Sequence, residues 1–216
     1  MKLDLRLYVI TTSLPRLGRD HLAIAQAAVR GGASVVQFRD KMMTNAEFAA
    51  MAARLLKITR PAGVALIIND RVDIAMAIGA EGVHVGQHDA QVRELRRRLP
   101  ENMIVGGSAT NLAEAIEVSD AGADYLGVGP VFPTGSKADA TPPMGLEELA
   151  KICRAVRQPV VAIGGITRHN LKQIIKAGAA GAAVIAAVAE APDMLGATTE
   201  LADIWSTGLS NTSSAR

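Results

Sequence analysis

Eight times along this chain a short apolar run gives way to a segment with helical spacing, and four of the helical segments close on Gly-Ala just before the next strand. Strands are expected at 6–11, 34–39, 65–68, 82–85, 103–107, 125–129, 159–163 and 182–187. The helices between and after them are expected from the cap at Asp20 to Gly31-Gly32, then at 47–58, 72–78, 92–99, from a cap at Asn111 to 118, and at 146–156, 170–176 and 194–205. Asn45 is the expected cap of the second helix. At Gly32-Ala33, Gly79-Ala80, Gly122-Ala123 and Gly178-Ala179 the glycine supplies a left-handed helix end and the alanine allows close packing on the sheet. Eight such units in 216 residues predict an α/β fold, a single-domain (β/α)8 TIM barrel, rather than an open doubly wound sheet. No strand leads into Gly-x-Gly-x-x-Gly with an acidic residue at the proper distance, so a dinucleotide fold is disfavoured. The domain is expected over 1–208, and the Ser- and Asn-rich tail 209–216 is expected to be disordered.

A formal charge of +2 and an aromatic content of 3% leave nothing global to attract nucleic acid or an anionic membrane, so any anion site must be local. The most apolar stretch, 178–189, is too short and too rich in Ala and Gly to span a bilayer. The first strand begins within a few residues of Met1, which leaves no space for a secretory signal, and a single cysteine, Cys153, fits a reducing compartment. The expected location is cytoplasmic. Cys153 stands among Leu149, Ile152 and Val156, as a structural thiol rather than a nucleophile. Phe48 and Trp205 are candidates for a homo-oligomer face, packing on the barrel being the commoner role.

In a barrel of this kind chemistry gathers at the carboxyl ends of the strands. Strand two ends in Gln37-Phe38-Arg39-Asp40-Lys41, whose alternation turns the three donors Gln37, Arg39 and Lys41 one way and Phe38 and Asp40 the other. Gln37 and Arg39 are expected within the buried strand and so to need an anionic partner. Asn69-Asp70 ends strand three and Asp89 follows strand four. Each aspartate could cap the next helix, but two carboxylates a few ångströms apart repel by roughly 4 kcal/mol at an effective dielectric near 20. Beside so many donors they point to a divalent cation, and Mg2+ typically takes one or two carboxylates together with water and phosphate oxygens.

The sixth strand breaks into Gly129-Pro130-Val131-Phe132-Pro133-Thr134-Gly135-Ser136-Lys137, where Thr134, Ser136 and Lys137 suit wrapping an anion. Gly164-Gly165 after strand seven and the backbone near Ile185-Ala186 could receive a monophosphate on their amides, close packing of a barrel bend being the competing account of the glycine pair. Ser108 and Thr110 end strand five as helix caps or substrate contacts. His84 reads as a satisfied interior residue, His21 and His169 lie at helix starts, and His88 is in a loop. The histidines form no metal set.

Five motifs, Gln37-x-Arg39-x-Lys41, Asn69-Asp70-Arg71-Val72-Asp73, Val83-His84-Val85-Gly86-Gln87-x-Asp89, the run from Gly127 to Thr134 with Lys137, and Ala162-Ile163-Gly164-Gly165-Ile166, together resemble the thiamine phosphate synthase family over about Leu7 to Val188. The resemblance implies a transferase that joins hydroxymethylpyrimidine diphosphate to a thiazole phosphate and releases diphosphate with Mg2+. It implies metal ligation by Asp70 and Asp89, and diphosphate binding by Gln37, Arg39, Lys41, Asn69 and Lys137. Ser108 would lie near the pyrimidine and leaving group. Thr134, Ser136, Gly164, Gly165, Ile185 and Ala186 would receive the thiazole phosphate. Arg39, Lys41, Ser108 and Lys137 carry the catalytic expectation. The chain departs from the family pattern at Ser136, where Thr is usual, at Ala186, where Ser is usual, and at Thr110, where His is frequent. Two other functions compete: isomerisation of a thiazole carboxylate phosphate, as in the similar thiazole tautomerases, and noncatalytic binding of phosphorylated thiamine precursors.

Overall fold

The computed structural model describes residues 3–86, 91–135 and 142–213. Among them eight parallel strands close into a barrel in sequence order: β1 Leu7–Thr11, β2 Val35–Phe38, β3 Ala65–Asn69, β4 Gly82–Val85, β5 Ile104–Ala109, β6 Tyr125–Val128, β7 Val160–Ile163 and β8 Gly181–Val184. Helices α1 His21–Arg30, α2 Asn45–Thr59, α3 Val72–Ile78, α4 Val92–Arg98, α5 Leu112–Asp120, α6 Gly145–Ala155 and α7 Leu171–Lys176 follow the first seven strands. After β8 come a single turn, α8 Ala186–Ala189, and then α9 Met194–Ser213. The expected barrel is the observed one.

Strand periodicity sorts the core into two apolar clusters. The larger one packs the outward residues of the strands, among them Leu7, Val9, Val36, Phe38, Leu66 and Ile68, against the helices. The smaller one fills the barrel with Leu5, Tyr8, Ile10, Val35, Ala65, Ile67, Tyr125, Val161 and Ala183. Phe48 and Trp205 are 0% and 1% exposed, so the suggestion of an oligomer face built on them is withdrawn. Both rings serve the helix-to-barrel contact instead.

The repeated Gly-Ala pairs act as expected. Gly32, Gly79, Gly122 and Gly178 all have φ between 67° and 95°, and the alanines that follow are buried. Asp20 caps α1 by accepting from the Ala23 amide, and Asn111 caps α5 by accepting from the Glu114 amide. Asn45 does not cap α2. Thr44 does, in a reciprocal box with Glu47, because a hydroxyl three residues before a glutamate satisfies two amides at once.

The eighth strand also ends earlier than expected. The chain turns at Ile185, and Ala186-Ala187 open the helical turn α8. Alanine has the highest helix propensity, and a barrel end demands a turn there. At the other extreme α9 continues to Ser213, into the segment 209–216 expected to be disordered. Gly208 lies within that helix where a Cβ would meet Ile175 Cδ1 at 2.7 Å, so its missing side chain lets α9 approach α7.

Candidate active site

Inward parity on the strands carries polar residues to the carboxyl end of the barrel: Gln37 on β2, Asn69 ending β3, His84 on β4 and Ser108 on β5. Ser108 lies inside β5, opposite Gly127, rather than after the strand as expected. Three of these groups, Gln37, His84 and Ser108, join Tyr8 and Tyr125 in a hydrogen-bonded column across the barrel. Gln37 Nε2 donates to Tyr8 Oη at 2.8 Å, and Tyr8 Oη lies 2.8 Å from Tyr125 Oη. Tyr125 Oη lies 3.0 Å from His84 Nδ1, and His84 Nε2 lies 2.9 Å from Ser108 Oγ. With the Gln37 amide donating to Tyr8, one order that gives every hydroxyl and ring nitrogen a role has Tyr8 donating to Tyr125, Tyr125 to Nδ1 of His84, and Nε2–H to Ser108. In that order Ser108 keeps its own hydroxyl proton for an acceptor in the mouth. Burial raises both tyrosine pKa values well above that of exposed phenol, so both hydroxyls are protonated at pH 7. Glycines make room for it, since a Cβ at Gly106 would run into the Tyr125 ring and one at Gly127 would sit 2.8 Å from His84 Cε1.

The column corrects one expectation. Gln37 is 3% exposed, but its buried amide finds Tyr8, so it needs no anion to be satisfied. β2 ends at Phe38, which puts Arg39 just past the strand and half-buried, with Lys41 exposed. Among the described residues no group accepts a hydrogen bond from the Arg39 guanidinium.

Asp70 follows β3 at φ 61°, in the left-handed region where aspartate is tolerated and most side chains are not. Its amide donates to the His84 carbonyl at 2.9 Å, which pins it beside the carboxyl end of β4. The helix-cap account of Asp70 fails, because the N-cap position of α3 is Arg71 and no side chain caps that end. The N-cap position of α4 is Gln91. Asp89 and His88, with Ser136 and Lys137, lie outside the described residues.

Thr134 is half-buried in the loop after β6. That loop is locked to the one after β7: the Val131 amide donates to Ile163 O at 2.9 Å and the Phe132 amide to Gly164 O at 3.1 Å. Gly164 and Gly165 have φ of 98° and 63°, and a Cβ on them would lie 2.5 Å from Pro130 Cβ and 2.5 Å from the Pro133 carbonyl oxygen. Close packing is therefore one full reason for the glycine pair. Gly164→Ala is expected to cost about 2–4 kcal/mol through backbone strain and overlap, read as a lower urea midpoint. Gly135→Ala, where a Cβ meets nothing within 4 Å among the described residues, should move the midpoint by less than about 0.5 kcal/mol equivalent.

Thr110 donates its hydroxyl and its amide to Glu114 at 2.7 and 2.6 Å. Its side chain thus completes the start of α5 and is not turned to acid-base work. Cys153 is partly covered on α6, and burial pushes its thiol up to about 11, so it is protonated and inert at pH 7. It lines a cavity of about 1110 Å³ on the opposite, amino-terminal face of the barrel, bordered by Asp4, Arg6, Glu101 and Arg157.

A model of the family described as thiamine monophosphate synthase matches residues 7–188. The chain belongs to that family. It is 49% identical over 198 residues to a thiamine-phosphate synthase of Chloroflexus aurantiacus, covering 92% of this chain and 91% of the relative. A thiamine-phosphate synthase of Methanoculleus marisnigri is 44% identical over 197 residues, covering 91% and 93%. The solved thiamine phosphate pyrophosphorylase of Pyrococcus furiosus superposes with a TM-score of 0.87 at 40% identity, covering 96% of this chain and 98% of that one.

Both tyrosines of the chain, Tyr8 and Tyr125, meet in the barrel although 117 residues separate them. Their inward parity on β1 and β6 was available in the sequence, but their partnership was not. Arg71, inside a motif but given no role, reaches back over the β2–α2 loop. It donates from Nη2 to the Met43 carbonyl at 2.6 Å and from Nη1 to Asn45 Oδ1 at 3.0 Å, with its guanidinium 4.3 Å over the Phe48 ring. Among the described residues no helix is long and apolar enough to cross a membrane.

Proposed function

We propose that this chain is a thiamine phosphate synthase that couples 4-amino-2-methyl-5-hydroxymethylpyrimidine diphosphate to a thiazole phosphate. The observation that carries the reading is the gathering of Arg39, Asn69, Asp70 and the Ser108 end of the polar column at one rim of a barrel of this family. The C–O bond between the pyrimidine methylene and diphosphate breaks with its electron pair leaving on oxygen, and the thiazole nitrogen closes a C–N bond to the same carbon. That nitrogen bears no proton, so no general base is required. The aminopyrimidine delocalises the developing positive charge, and the demand on the protein is to stabilise the leaving group.

Asp70 and Asp89 would hold Mg2+. The fit is chemical and local: a hard cation prefers carboxylate oxygen, and the left-handed Asp70 is not spent on a helix cap. Bound there, the ion would supply charge neutralisation for diphosphate. Arg39, Lys41 and Lys137 add fixed positive charge, with Gln37 and Asn69 as neutral donors. Ser108, held 2.9 Å from His84 Nε2, hydrogen-bonds the pyrimidine or the departing oxygen. Thr134, Ser136, the Gly164 and Gly165 amides, and the backbone of Ile185 and Ala186 receive the thiazole phosphate. The carbonyls of both glycines are engaged by Phe132 and Asn170, which leaves their amides for an anion. The partners are thus small molecules, in the cytoplasm.

The tautomerase reading loses support from Thr110, which is bound to Glu114 where an acid-base histidine would be needed. The deciding experiment mixes the protein with both precursors and Mg2+ and follows diphosphate release. Turnover is expected. Tight binding of both precursors without release would instead make the protein a carrier.

A further inference from the structure

The loop 39–44 carries the cations Arg39 and Lys41, and it is held from behind by the His21–Asp40 pair, which the reaction scheme does not use. Asp40 Oδ1 accepts from the Met42 and Met43 amides at 2.7 and 2.8 Å, so this one carboxylate shapes the backbone on which Lys41 stands. Its other oxygen, Oδ2, lies 3.1 Å from His21 Nε2. His21 is 1% exposed, its ring edge rests on Phe38 at 4.8 Å, and its Nδ1 lies 2.9 Å from Thr11 Oγ1 at the end of β1. Burial lowers the His21 pKa below that of an exposed imidazole, which leaves the ring neutral at pH 7. A neutral ring that donates from Nε2 to Asp40 turns Nδ1 to the Thr11 hydroxyl, which also lies 3.3 Å from the Gln37 carbonyl oxygen. Burial also acts to raise the Asp40 carboxyl, but the Met43 and Met42 amides and His21 outweigh it and hold the group below the usual carboxylate range.

The chain Thr11–His21–Asp40 therefore ties the end of β1 and the start of α1 to the loop after β2. Arg39 and Lys41 flank Asp40 by one residue each, in the loop that leaves β2 at Phe38. We propose that His21 is a positioning residue for the diphosphate end of the reaction, acting through Asp40 to fix the backbone that presents Arg39 and Lys41. The proposal rests on the reading of those two cations as diphosphate ligands.

The test compares His21→Phe, which keeps the ring packed on Phe38 but removes both hydrogen bonds, with His21→Gln, which restores a donor toward Asp40. His21→Phe is expected to raise KM for the pyrimidine diphosphate by about tenfold, the scale of one hydrogen bond to a charged group, with KM for the thiazole phosphate moved less than about twofold. His21→Gln should recover most of the loss. Asp40→Ala, at a partly exposed position, should give the same split and serves if the phenylalanine variant does not fold. Equal rises in both KM values, or no rise in either variant, would overturn the positioning role. An unmoved diphosphate KM in Arg39→Ala would strike instead at the reading of the cations, so the two failures are distinguishable.

Discussion

Arg39→Ala is expected to lower kcat/KM for the pyrimidine diphosphate by about 10²–10³-fold while leaving the thermal midpoint within a few degrees of the parent. On the proposed role of Arg39, the size follows from removing a preorganised charge from the place where negative charge develops on the leaving group. The small stability effect follows from the surroundings: among the described residues no carboxylate or carbonyl is bonded to the guanidinium, so its loss orphans nothing. Arg71 makes the useful contrast. Its guanidinium is engaged by Met43 O and Asn45 and lies over Phe48, so Arg71→Ala should lower stability by about 1–2 kcal/mol as well as activity. Steady-state kinetics and a melting curve on both variants separate a group held ready for a ligand from one that braces the loop.

Chelation with EDTA is expected to abolish diphosphate release, with Mg2+ restoring it, and Asp70→Asn to cost about 10²-fold or more in kcat/KM. Asparagine is the informative replacement because it also accepts the left-handed backbone at φ 61°, so the charge is lost without adding strain. The expected signature is a higher Mg2+ concentration for half-maximal rate with an unchanged urea midpoint. Full activity in EDTA would remove the cation from the mechanism. Unchanged Mg2+ dependence in Asp70→Asn would remove this carboxylate from the cation.

The same two residues mark where local information ends. Arg39 was placed near the mouth by strand parity alone, which is a property of three or four consecutive residues. Asp70 was equally visible as a carboxylate at a strand end, yet its alternative role as a cap could be dismissed only from the observed backbone, where Arg71 takes the N-cap position. At α2 the local signal was present and misassigned: Thr44 with Glu47 is a capping box, stronger than Asn45 one residue on. At β8 the β-like apolar run continued past the point at which barrel closure forces a turn, so strand length was overestimated.

By itself the sequence determined the alternation of strands and helices, the glycine-alanine helix ends, the inward or outward parity of each strand residue, and the motifs that mark the family. Each of these is written within a few neighbouring positions, because helix capping, strand pleat and left-handed glycine act over one or two turns of chain. Only the closed barrel decided that Tyr8 meets Tyr125, that His84 lies within hydrogen-bond distance of Ser108, and that His21 stands behind Asp40. Those pairings depend on which strands become neighbours and on the stagger between them. That arrangement is set by burying the outward faces of the strands under the helices around the barrel, a cooperative result that no short segment of the chain contains.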